Sequence, residues 1–207
     1  MFKMKTKILL LLASICLFNT AAYSQWAIGG KIGINGSNIH YPGPLIDNPK
    51  LKSGMNLGAT ATYYFNNWLS GQIELVYSNR GYKEKDFVLE EASPEESLKD
   101  LIVTCHYLDL PLLAKIYPFK CNFNIQVGPQ IGFLLSRSIK FDDKKQNQDG
   151  IDKQPIDFGL VFGAGYEFTQ GFFIDARYLL GLNSIYKTGE GFQNRGLQLS
   201  IGYKFLL

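Results

Sequence analysis

Only two side chains in this chain, His40 and His106, could act as a histidine general base. Beside a hydroxyl such as Ser37 or Ser93, either would form a nucleophile and base couple. No Gly-x-Ser-x-Gly elbow frames any serine, so His40 is expected to be a solvated loop residue and no catalytic residue is expected. The stretch "NQDGIDK" suggests a calcium loop, but placing Gly150 sixth puts Lys145 first and Ile156 last, where carboxylates are needed. Cys105 and Cys121 stand sixteen residues apart along one strand and its turn, too far to bridge, with no His or Cys near enough to complete a metal set. Gly163-Ala-Gly165 could cradle a phosphate only if a helix followed, and the chain there alternates as a strand does. No cofactor and no metal are therefore expected.

These residues sit in a chain whose dominant signal is a period of two. In the last segment Leu197, Leu199, Ile201, Tyr203, Phe205 and Leu207 alternate with Gln198, Ser200, Gly202, Lys204 and Leu206. The same pattern predicts eight strands, over 26–35, 54–65, 68–82, 101–117, 122–136, 157–168, 172–186 and 195–206. Tight links at Asn66-Asn67, Pro118 to Cys121 and Thr169-Gln170-Gly171 alternate strictly with long polar links at 36–53, 83–100, 137–156 and 187–194. In an up-and-down meander this alternation gathers the long loops at one end. The pattern predicts an all-β fold: an eight-stranded antiparallel transmembrane barrel with short periplasmic turns and long extracellular loops.

Ahead of the first strand, Lys3, Lys5 and Lys7 precede the apolar run Ile8 to Phe18, and Ala22 and Ser24 stand before Gln25. Residues 1–24 are expected to be a cleaved secretory signal peptide, leaving 25–207 as a single domain. Without those three lysines, 18 basic residues balance 18 acidic ones, and nothing points to a nucleic-acid partner.

The large apolar residues of each strand share one parity, and none of those from Ile28, Ile32 and Ile34 through Leu57 to Phe65 and Phe158 to Phe168 to Leu197 and beyond is charged. A charge facing lipid near mid-bilayer would cost about 2–4 kcal/mol, so this is the face a membrane demands. The opposite parity collects Lys31, Glu74, Arg80, Asp109, Lys115, Glu167, Asp175, Arg177 and Lys204, together with many glycines. An eight-stranded barrel is just wide enough for its own side chains, so these nine are expected to plug the lumen in ion pairs. Trp26, Phe65, Trp68, Tyr117, Phe119, Phe123, Phe168, Phe172 and Phe205 cluster at the tight-turn end and are expected to form an aromatic girdle. A soluble lipocalin-like barrel would put all nine strand charges on a glycine-rich surface and overfill its interior with aromatic rings.

The segments "YLDLPLLAKIYP", "GPQIGFLL", "DFGLVFGAGYEF", "DARYLLGLNSIY" and "LQLSIGYKF" resemble, in that order, the PorT-type outer-membrane β-barrel family. The resemblance implies an eight-stranded barrel in the outer membrane of Gram-negative bacteria. The family's founding member serves a protein-secretion machine, a role for which no residue motif can be matched here. The leading expectation is a structural or interaction protein exported through the general secretory pathway and set into outer-membrane lipid by the barrel-insertion machinery. Its protein partners would be reached through loops 36–53, 83–100 and 137–156. The alternatives are a narrow porin-like channel and a lipid-modifying barrel enzyme acting through His40 or His106.

Overall fold

A computed structural model describes residues 25–40, 50–88, 98–118, 121–141, 144–146, 155–183 and 193–207. The expected signal peptide, Ser93, Phe119, Gly150 and most of the long loops lie outside them. The strands are β1 (Trp26–His40), β2 (Lys50–Asn66), β3 (Leu69–Val88), β4 (Leu98–Ile116) and β5 (Phe123–Phe141), then the short β6 (Lys144–Gln146), and β7 (Ile156–Glu167), β8 (Phe172–Gly181) and β9 (Gln193–Leu206).

Every pairing is antiparallel. The order β4-β3-β2-β1-β9-β8-β7-β5 is closed by β4 pairing β5, so eight strands form a barrel with no open edge. Closure satisfies the backbone of all eight strands without water, the condition for crossing hydrocarbon. The three-residue β6 pairs only with the far end of β5, Ile139 opposite Gln146.

Local chemistry makes the tight turns. The Asn66 side-chain Oδ1 accepts hydrogen bonds from the backbone N–H of Trp68 and Leu69 at 3.0 and 2.9 Å, an Asx turn that reverses the chain between β2 and β3. Between β7 and β8 the reversal needs a residue at φ +92°, and Gly171 supplies it.

Most strands run farther at the loop end than the alternation predicts. Gly36–His40, Lys50–Ser53, Lys83–Val88, Leu98–Asp100 and Arg137–Phe141 are strand rather than loop. Above the lipid a strand needs no apolar face, so pairing continues after the greasy alternation has stopped. At 20 residues β3 extends about 66 Å, or about 50 Å along the barrel axis at the usual tilt, twice the ~25 Å apolar band. β8 does the opposite and stops at Gly181, short of 186. There the Asn183 side chain takes over the ladder, accepting from Phe158 N–H and donating to Ile156 C=O, both at 2.8 Å.

The molecule is turned inside out relative to a soluble protein. Its exposed large side chains are Ile32, Leu57, Ile73, Leu112, Phe162, Leu199 and others of their parity, whereas Lys115, Gln72, Gln126, Glu74 and Asn56 are among its most deeply buried.

Candidate functional site: the charged lumen

Side chains that alternate on single strands meet from opposite walls inside the barrel. Glu74 on β3 and Arg177 on β8 stand four strands apart in a ring of eight, on facing walls. The guanidinium spans the lumen and binds the carboxylate in bidentate fashion, Nη1 to Oε2 and Nη2 to Oε1, both at 2.8 Å. The Arg177 Nη2 also donates to Asp175 at 2.7 Å, and Lys31 Nζ lies 2.6 Å from Glu74 Oε2. Lys115 lies 3.9 Å from Asp175 and 3.0 Å from Glu167, whose Oε1 also accepts from Lys204 at 2.7 Å. Seven of the nine expected lumen residues thus form one continuous chain of alternating charge.

The other two, Arg80 and Asp109, pair in a second cluster toward the loop end. Asp109 also accepts from Ser78 Oγ at 2.5 Å, and the Arg80 guanidinium lies 5.1 Å from the centre of the Tyr107 ring. A tenth charge joins here. Asp157 lies 3.6 Å from Arg80 and accepts from Asn194 Nδ2 at 2.7 Å, bringing these two clusters to five basic and five acidic groups. It opens the predicted strand 157–168 on the lumen parity of Glu167 and belongs with the nine.

Burial sets the energetics of this core. Glu74 and Asp175 are 2% and 0% exposed and Lys115 is 0%. Such ions are tolerated because each has counter-ions and further donors: Gln72 on Glu74, and Gln126 on Asp175 at 2.5 Å. Glycine provides the space. A Cβ on Gly163 would stand 2.8 Å from Arg177 Cγ, and one on Gly132 would stand 2.7 Å from Asp109 Oδ1. A Cβ on Gly202 would run into the ring of Phe173, which fills the lumen beneath the Lys204 and Lys115 ammonium groups, 5.1 and 5.7 Å from its centroid.

One girdle expectation is corrected. Tyr117 is 8% exposed and points into the barrel, where its hydroxyl donates to Glu167 Oε1 at 3.1 Å and lies 3.2 Å from Ser70 Oγ. The alternation that carries Asp109 and Lys115 inward continues two residues further to Tyr117, and its hydroxyl finds a carboxylate there. Tyr64, whose hydroxyl donates to Glu167 Oε2 at 2.9 Å, is a lumen contact that the sequence reading missed. Trp26, Phe65, Trp68, Phe123, Phe168, Phe172 and Phe205 are all exposed on the outside near the tight turns. A vestibule of about 550 Å³ at that end reaches in as far as Glu167 and Tyr117.

Of the residues considered for catalysis, Ser37 is buried and its hydroxyl donates to the Gly81 carbonyl at 2.9 Å. His106 faces outward on β4, its Nδ1 2.6 Å from the Tyr77 hydroxyl. His40 ends β1, and its side chain lies outside the described residues. Cys105 is buried and Cys121 exposed, both as free thiols. Among the described residues no group of three His, Cys, Asp or Glu stands close enough to hold a metal ion.

Residues 18–187 match the family model described as the outer membrane protein beta-barrel domain. No curated protein matches the chain. Among solved structures, Neisserial surface protein A superimposes with a TM-score of 0.51 at 14% identity, over 90% of this chain and 99% of that one. Ail, the attachment invasion locus protein of Yersinia pestis, gives 0.46 at 18% identity over 87% and 99%. At these identities the likeness is one of fold. With its apolar exterior, its closed ring and this family match, the chain belongs to the outer membrane protein β-barrel domain family, whose place is the outer membrane.

Proposed function

We propose that the protein is a non-catalytic, PorT-type barrel that serves the envelope as a structural or interaction protein and does not act as an open pore. The observation that carries this reading is the Glu74–Arg177 pair, which crosses the lumen from wall to wall inside a seven-residue ion network. With the interior occupied, recognition falls to what stands above the lipid: the tall wall of β3, β4 and β5 and the loops 36–53, 83–100 and 137–156. The partners are proteins of the envelope; an accessory role in a secretion or envelope assembly is the form such an interaction takes in the founding member of the PorT family. Residues 1–24 act as the export signal, the general secretory pathway delivers the chain, and the barrel-insertion machinery places it in outer-membrane lipid. No cofactor enters this function.

Photo-cross-linkers placed in loops 83–100 and 137–156 of the protein in intact cells test the reading. A discrete cross-linked protein from the loops, with none from the lipid-facing wall, is the expected result. The narrow-channel alternative is decided in planar bilayers, where this reading expects little or no steady conductance; stable ohmic conductance from the purified barrel overturns it.

A further inference from the structure

Arg195 is a charged residue on the apolar parity of β9. On β9 it shares the outward parity of Leu197, Leu199 and Ile201, and it lies in register between Asn38 of β1 and Leu180 of β8. Its height follows from strand geometry. Arg195 lies ten residues before the girdle residue Phe205, about 33 Å along the strand and so about 25 Å along the membrane normal. That is the full height of the apolar band, which puts the guanidinium at the level of the outer-leaflet headgroups. Its Nε is enclosed by the protein and has no hydrogen-bond partner.

Below this cation the wall is hollowed. Gly36 faces outward on β1, and a Cβ there would meet nothing nearer than Leu51 Cδ2 at 3.8 Å. A groove of about 270 Å³ beside Arg195 and Asn38 shares Gly36, Tyr178 and Leu197 with a second of about 580 Å³ that continues down the wall over Ala176. A cation at headgroup height joined to an apolar trough in the hydrocarbon layer has the polarity pattern of a single anionic lipid. An arginine fork suits a phosphate in particular, since it can donate two parallel hydrogen bonds.

We infer that Arg195 and the Gly36–Ala176 groove form a binding site for a phosphorylated glycolipid of the outer leaflet. The phosphate pairs with Arg195, and an acyl chain lies between Tyr178 and Leu197. This site is on the outside of the barrel and does not depend on whether the lumen conducts or which protein the loops bind.

Native mass spectrometry of the purified full-length mature barrel, released from detergent micelles, tests the site. The probes are lipid A carrying its phosphates, the same lipid with its phosphates removed, phosphatidylglycerol and glucosamine 1-phosphate. One retained lipid A is expected on the unmodified protein. Arg195→Gln should lower its occupancy about tenfold, the factor for losing one hydrogen bond to a charged group. Gly36→Leu should lower it comparably by filling the trough, whereas Lys83→Gln, on the exposed end of β3, should leave it unchanged. Heat-dependent gel mobility establishes that each variant is folded. Equal retention by Arg195→Gln, or of the dephosphorylated lipid, overturns the phosphate site. Equal retention of phosphatidylglycerol overturns the glycolipid assignment, and displacement of lipid A by glucosamine 1-phosphate overturns the role of the groove.

Discussion

The Arg177 guanidinium and the Glu74 carboxylate meet in a two-point contact at 2.8 Å, across facing walls and 103 residues of sequence. The pair works as a strut between walls that the backbone ladder does not join. Leaving one buried ion unpaired costs about 3–5 kcal/mol. Glu74→Leu and Arg177→Leu are each expected to lose that much in urea unfolding from lipid vesicles, followed by Trp26 and Trp68 fluorescence. The double variant should fall short of the summed losses by on the order of 1–3 kcal/mol. Strict additivity would show that the strut is not an energetic unit.

Tyr117 separates a lumen role from a girdle role. Its hydroxyl donates to the Glu167 carboxylate, so Tyr117→Phe should cost about 1.5–3 kcal/mol, the range for hydrogen bonds to charged groups. On the lipid-facing girdle the same change would be nearly neutral. An unfolding free energy within error of the unmodified protein would return Tyr117 to the outside.

Gly202 and Phe173 occupy one space from neighbouring strands, β9 and β8. Gly202→Val should destabilise by about 1–3 kcal/mol through overpacking. Phe173→Ala should destabilise by about 3–5 kcal/mol through the cavity it leaves. Combined, the two should lose less than their sum, because the valine enters the volume that the ring has vacated. Refolding yield and unfolding midpoint of the four proteins measure this directly.

The outer face should respond to charge by depth. Leu199, six residues above Phe205, stands near mid-bilayer, so Leu199→Arg should cost about 2–4 kcal/mol. Ile28 pairs with Phe205 in the girdle, and Ile28→Arg should cost about 0–1 kcal/mol. Equal costs at the two positions would contradict this placement of the bilayer.

What could be read from the residues in order was whatever depends on one strand at a time. Alternation along a strand sorts Leu199 from Ser200 and Phe162 from Gly163, because lipid and lumen are different solvents and a period of two assigns each side chain to one of them. The alternation of short and long links then implies the meander and its closure. Where lipid stops imposing a pattern the signal fades, which is why the upper reaches of β1 to β5 read as loop. What only the tertiary structure decided is who meets whom across the lumen. Register and ring position, which no local pattern encodes, bring Glu74 opposite Arg177, turn Tyr117 onto Glu167 and set the Phe173 ring beneath Lys115. The physical reason is that partners on non-adjacent strands are selected by barrel diameter and stagger, and those belong to the closed sheet rather than to any single strand.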